Sequence, residues 1–344
     1  MRTRFVLILA VAMTTFMFVQ GAAAHVPVGG EPGASLDTAL EIENPLKSWV
    51  MYHELHEEGE AHYYTFEMEA GDRLRLILNL PADLESSAFR PILILIGPGL
   101  SNTTSAPDYL EMPQGSGYVI YNEHSLHQNY EGFTPSAFFE ILDIDTTVPE
   151  TGKYYLAIYD EAKHERYALA IGFQEEFTFD EWILVALNVI TIHLWEGQNI
   201  VAILSPWLIT LLLGIVFYSR KGEEIGIEND VLTWTGVISG LLFIGSGLAL
   251  LFQMIWALLR VPANAQVVIT MLFALCPILI GIVALRALKT GWKNDKSRIL
   301  KITLLSGLAV FTWAGLLIGP TLLLLVSIVG FVSREKAPAR TVTS

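Results

Sequence analysis

Tyr63-Tyr64-Thr65-Phe66-Glu67-Met68-Glu69-Ala70-Gly71-Asp72-Arg73-Leu74-Arg75-Leu76-Ile77-Leu78-Asn79-Leu80 sets the character of the first half of the chain. Tyr64, Phe66 and Met68 alternate with their neighbours. After Ala70-Gly71-Asp72, so do Leu74, Leu76, Leu78 and Leu80. Successive strand side chains point to opposite faces, so period two on both sides of a Gly turn predicts two strands paired as a hairpin. The pattern recurs further along. Residues 91–96 are a continuous apolar run closed by Gly97-Pro98-Gly99, as for a buried strand. Gly117–Tyr121 is another candidate, Tyr154, Leu156 and Ile158 share one face, and Tyr167, Leu169, Ile171 and Phe173 close the series. Short strands with frequent turn signals predict a β-sandwich over 48–176, preceded by an N-terminal extension, 25–47.

Residues 59–74 resemble the opening of bacterial pre-peptidase C-terminal domains, which begin with an aromatic-x-Phe strand, an Ala-Gly turn and an alternating apolar strand. Thr151-Gly152-Lys153-Tyr154-Tyr155-Leu156, and later Tyr167-Ala168-Leu169, are similar to that family's Gly-x-Tyr-Tyr and Tyr-x-Leu strands. The resemblance implies a jelly-roll-like β-sandwich used in secretion, adhesion or ligand binding, without catalysis. Two departures stand out. Phe89-Arg90-Pro91-Ile92 replaces the family's Asp-x-Asp-Leu strand, so its acidic cation contacts do not carry over. The stretch 100–149 is longer than the usual connection and is expected to hold an elaborated loop.

Composition divides the 344 residues in two. Only 16% are charged, against about 25% in an ordinary soluble domain, and mean hydropathy is +0.47. From His25 to Glu181 there are 28 acidic and 7 basic residues, giving −21. The rest holds 7 acidic and 14 basic residues, giving +7 and the net −14. An acidic half joined to a basic, apolar half predicts an exposed domain on a membrane anchor. Its charge repels phosphates, which excludes nucleic acid as a partner. The single cysteine, Cys276, excludes an intrachain disulfide framework. Gly-rich phosphate loops, HExxH and GxSxG are missing, so no enzyme is expected.

Arg2 and Arg4, a short apolar run and Gly21-Ala22-Ala23-Ala24 read as a signal peptide over 1–24, cut before His25. The β domain is then expected outside the cytoplasm, where Asn102-Thr103-Thr104 makes Asn102 a candidate glycosylation site. A juxtamembrane helix is expected over 179–196, with Trp182 and Trp195 near its ends, either lying at the membrane interface or packing on the β domain. Apolar stretches at 200–217, 231–259, 267–285 and 299–332 predict a bundle of about four transmembrane helices over 199–333, followed by a polar tail, 334–344. The basic residues Arg286, Lys289, Lys293, Lys296, Arg298 and Lys301 mark a cytoplasmic loop. As one helix, the last stretch would run about 51 Å, and Gly319-Pro320 interrupts it. It is counted as one broken span. Two short segments returning Arg334 to the cytoplasm are the alternative.

Few polar groups interrupt the spans. Gln253 looks isolated, and His193 is the histidine nearest a span, which argues against haem ligation and ion pumping. Gly236 and Gly240 predict close helix packing. The other histidines are His25, His53, His56, His62, His124, His127 and His164. A free His25 amine and imidazole would chelate copper together, as in the secreted copper proteins that the Ala-His-Val start resembles. His25, His53 and His56 are therefore the candidate metal ligands and copper the candidate cofactor. Ordinary surface histidines are the other reading. The expected function is that of a non-enzymatic cell-surface protein whose acidic domain binds or senses an external ligand or partner. The alternatives are an extracytoplasmic copper-binding protein using His25 and a transporter subunit capped by the acidic domain. Expected partners are the lipid bilayer and other membrane or surface proteins.

Overall fold

The computed structural model describes residues 25–57, 59–84, 89–102, 105–161 and 165–335. The expected leader at 1–24, Thr103 and Thr104 of the sequon, His164 and tail residues 336–344 lie outside the described residues. β1 (Val26–Pro27), β3 (Trp49–Glu54), β11 (Arg166–Ile171), β5 (Arg73–Pro81), β9 (Ser136–Thr147) and β8 (His127–Glu131) form a six-stranded sheet in that order. β2 (Leu40–Glu41), β4 (Ala61–Met68), β10 (Gly152–Tyr159), β6 (Ile92–Gly97) and β7 (Gly117–Tyr121) form a five-stranded sheet.

The expected hairpin between β4 and β5 is not formed. β4 pairs with β10 and β2, whereas β5 pairs with β11 and β9 in the other sheet. The turn is a corner between sheets. Gly71 adopts φ +90°, its amide donates to Val148 O at 2.9 Å, and the Glu69 amide donates to Asp72 Oδ2 at 3.0 Å. Period two is satisfied either way. At a corner, Tyr64 and Phe66 face Leu74, Leu76 and Leu78 across one buried core, which Leu93, Leu156 and Leu169 complete. Part of the 100–149 stretch covers the outer face of the five-stranded sheet, where Leu110 packs with Tyr63, Ile94 and Tyr159.

Among the described residues, helices follow the strands: α1 (Phe179–Trp195), α2 (Ile200–Lys221), α3 (Val231–Leu258), α4 (Val267–Ala287), α5 (Lys296–Phe311) and α6 (Ile318–Glu335). Three of them, α2, α3 and α4, are long and apolar enough to cross a membrane. Exposed Val201, Leu208, Leu212 and Leu213 give α2 an uncovered apolar flank, as lipid contact requires. Gly240 of α3 meets Gly281 of α4 so closely that a Cβ on Gly281 would fall 2.6 Å from Gly240 O.

Among the described residues, three helices of spanning length stand against the expected four or so, and the last apolar stretch is divided by the turn 312–317 into α5 of 16 residues and α6 of 18. Gly315 takes φ +75° in that turn. Pro320 falls in the first turn of α6, where its missing N–H has no intrahelical partner to lose. Ser306 Oγ donates to Pro320 O at 2.8 Å across the resulting hairpin. Gly330 of α6 packs against the ring of Trp292, just before α5 begins.

The two halves share a core. Ala257 of α3 and Val261 beyond it belong to the same buried cluster as Phe66, Leu78 and Tyr130. α1 packs between sheet and bundle: Trp195 Nε1 donates to Tyr167 O at 3.1 Å, and Trp182 packs on Trp313 at 4.5 Å between ring centroids.

Candidate functional site

Alternate residues of β3, β5 and β8, and of β9 on either side of its irregularity at Ile141, point away from the sandwich core. On the six-stranded sheet this places Val50, Tyr52, Ile77, Asn79, Glu131 and Glu140 on its outer face. α1 lies over them with Asn188, Ile192 and Trp195, leaving a cleft of about 200 Å³. Tyr52 and Trp195 close one wall edge to face, with ring centroids 5.0 Å apart.

The polar lining is short of solvent and of partners. Asn79 is 8% exposed, and its Oδ1 has no hydrogen-bond partner among the described residues. Burial pushes the Glu131 carboxyl up to about 7, with Glu175 adding to the shift, although the Phe133 amide donates to it at 2.8 Å. Burial likewise raises Glu140, helped by Asp143, and raises the Tyr52 phenol beside Glu131 and Glu196. Arg75 also borders the cleft, with its guanidinium held by Asp143 at 3.1 Å. Acceptor oxygens thus outnumber unengaged cations, and the walls are aromatic.

The floor of this cleft is latched to the bundle through the β8–β9 turn. Thr270 Oγ1 donates to Gly132 O at 2.6 Å, so Tyr130 OH, 2.5 Å away, donates to Thr270. Gly132 N donates to Gln266 Oε1 at 2.8 Å, and Asn264 Nδ2 to Tyr130 O at 2.9 Å. The Phe133 ring inserts among Phe273, Trp182 and Trp313. At the C-terminal end of α1, Glu196 Oε2 lies 2.7 Å from His193 Nδ1 and accepts from Gln198 Nε2 at 3.2 Å. Gln253, isolated in the sequence, pairs reciprocally with Gln198 at 2.8 and 3.0 Å.

A scan against family models and a search of curated proteins found no match. Among solved structures, the crystal structure of the pre-peptidase C-terminal domain of collagenase from Bacillus anthracis is similar at 15% identity. It covers 41% of this chain and 97% of that chain, with a TM-score of 0.21. The match fits the resemblance read from residues 59–74 and carries no function with it.

The candidate metal ligands are not brought together. His25 lies beside Ser48, with Nδ1 2.6 Å from Ser48 Oγ, and it borders the cleft. Burial and the Arg75 charge lower its pKa to about 4. His53 packs on Tyr64 and Tyr167 toward the far end of β3, and His56 is exposed beyond it. Among the described residues, no group of three His, Cys, Asp or Glu side chains is placed to hold a metal ion. The likeness to copper proteins finds no support in the comparisons. His124 Nε2 hydrogen-bonds to Pro91 O at 2.9 Å, and His127 is exposed. Asn102 is exposed, with its Oδ1 accepting from the Tyr118 amide at 3.0 Å.

Asn79, Glu131 and Tyr52 were not singled out from the sequence. The available signal was Asn79, a polar residue inside the apolar run Leu74–Leu80. His193 and Glu196 carried another signal, since they lie one turn apart at the end of an apolar helix.

Proposed function

We propose that the protein is a non-enzymatic, membrane-anchored ligand-binding protein whose β domain lies outside the cytoplasm. Its ligand is a small organic amine held in the cleft between the six-stranded sheet and α1. The partnerless Oδ1 of buried Asn79, facing the same cleft as the Glu131 carboxyl, carries this reading. Both accept hydrogen bonds, and burial leaves Glu131 short of a counter-charge. A cavity of roughly 150 Å³ takes a benzene ring, so 200 Å³ suits an amine of that size or a little larger. Tyr52, Trp195 and Phe138 offer aromatic faces to its cationic end.

The latch supports sensing over passive tethering. Occupancy of the cleft acts on α1 and on the β8–β9 turn, and both are joined by hydrogen bonds to the bundle. A test is thermal unfolding of the full-length protein in detergent with butylamine, putrescine and agmatine, and with butanol as the neutral control. At least one amine is expected to raise the midpoint. The gain should be larger at pH 8 than at pH 6, because the amine needs an ionised Glu131. It should disappear in Glu131→Ala. Equal effects of amine and alcohol, or none from any amine, would overturn the reading.

A further inference from the structure

The outer end of the bundle contains a buried acceptor that the chain leaves unused. His193 is 1% exposed, and its Nε2 has no hydrogen-bond partner among the described residues. The tautomer follows from its neighbour. Glu196 accepts from Ala137 N and Gln198 Nε2, and its remaining bond is to His193 Nδ1. A carboxylate only accepts, so the proton of a neutral imidazole sits on Nδ1, and in that form Nε2 presents a lone pair.

His193 borders an apolar pocket of about 60 Å³, walled by Ile203, Trp207, Ala249, Leu250 and Leu316. The other polar groups of the wall are engaged. Gln253 pairs with Gln198, Ser246 Oγ accepts from Trp207 Nε1 at 3.0 Å and from Gly315 N at 2.7 Å, and Thr312 Oγ1 donates to Leu308 O. The wall is also fixed in a costly backbone form, since Trp313 and Leu316 have φ of 50° and 52°. Trp313 Nε1 donates to Trp182 O at 2.6 Å and helps hold it there.

Position and size define the ligand. His193 and Gln253 lie at the end of the bundle next to the β domain. Ile203 then Trp207 on α2, and Leu250 then Ser246 on α3, lead from there along two helices able to cross a membrane. A molecule here has its polar group at the interface and its body at lipid depth. A cavity of roughly 150 Å³ takes a benzene ring, so 60 Å³ suits only the first carbons of a methylene chain, with the rest lying along the helices in lipid.

We infer that this pocket binds a straight-chain lipid alcohol, whose hydroxyl donates to His193 Nε2 and whose chain runs between α2 and α3. The inference is independent of what occupies the cleft above.

The test is photolabelling of the full-length protein in nanodiscs with a diazirine-bearing hexadecanol, mapped by mass spectrometry. Label is expected on the α2 and α3 segments around Trp207 and Leu250. Its methyl ether cannot donate and should label about tenfold less, the loss expected for one hydrogen bond to a buried acceptor. His193→Phe should bring the alcohol down to the level of the ether. Ala249→Trp, which fills the pocket and leaves His193 in place, should abolish labelling there. Equal labelling by alcohol and ether would overturn the inference, as would unchanged labelling in Ala249→Trp. Labelling spread evenly over the exposed flank of α2 would mean that the pocket holds only water, and would overturn it as well.

Discussion

Glu196 Oε1 accepts the backbone N–H of Ala137 at 2.7 Å, across 59 residues of sequence. The start of β9 is thereby tied to the end of α1, and the other oxygen of the same carboxylate serves His193 and Gln198. One side chain joins the β domain, the bridging helix and, through the Gln198–Gln253 pair, α3. Glu196→Gln puts an N–H group where one of these donors needs an acceptor. It is expected to cost about 1.5–3 kcal/mol, the range for hydrogen bonds to charged groups, read as a lower thermal midpoint of the full-length protein.

A fragment ending near residue 176 lacks Glu196, Gln266, Thr270 and the core residues Ala257 and Val261. Amide exchange should show this locally. The N–H groups of Gly132 and Ala137, protected in the full chain by Gln266 and Glu196, should exchange fast in the fragment. Equal protection in both would mean that the β domain holds this turn alone.

Phe66 is 1% exposed and stacks on Tyr154 with ring centroids 6.2 Å apart. Phe66→Ala should destabilise the protein by about 3–5 kcal/mol. Arg73→Ala should change stability little, because its pair with Asp145 is open to water. Chemical denaturation of both variants compares a core position of the five-stranded sheet with an outward position of the six-stranded sheet.

Glu131 predicts a pH dependence. Its folded pKa, about 7, lies above the ordinary carboxyl value of 4.5, so the folded state binds its proton more tightly than the unfolded state. The associated stability is fully present below pH 4.5 and is lost as pH rises through 7. The shift corresponds to about 3 kcal/mol. Glu131→Gln should flatten the fall in denaturation midpoint between pH 5 and 8.

Gly281→Val places a branched side chain against the Gly240 carbonyl, and both helices must part to admit it. The α3–α4 packing should fail, seen as proteolysis of detergent-solubilised protein at temperatures the parent chain resists. Gly307→Ala, at a position where a Cβ meets no atom within 4 Å, should leave the protein unaffected.

Much of the β domain could be read from alternation because each strand has one face on the core. β9 escaped for a local reason. Its pairing with β5 shifts between Leu78 and Asn79, so Ile141 and Leu142 are both buried and the period breaks mid-strand. The β4–β5 corner could not be told from a hairpin, since alternation fixes which face is apolar and leaves the partner strand open. The site was harder to see. Asn79, Glu131 and Tyr52 lie far apart in sequence and meet only through strand order and the placing of α1. The partners of Thr270 and Gln253 lie in the other half of the chain, where neither local period nor composition reaches.

The α5–α6 hairpin has a topological consequence. Gly330 rests on Trp292, so α6 returns to the level where the chain left α4. The last helical pair therefore goes out and back, and Arg334 lies at the same end of the bundle as Lys293. A reporter fused after residue 335 and an accessibility label at position 293 should always report one compartment. The basic loop and the end of α6 then share one end of the bundle, which three crossings by α2, α3 and α4 would set opposite the cleft.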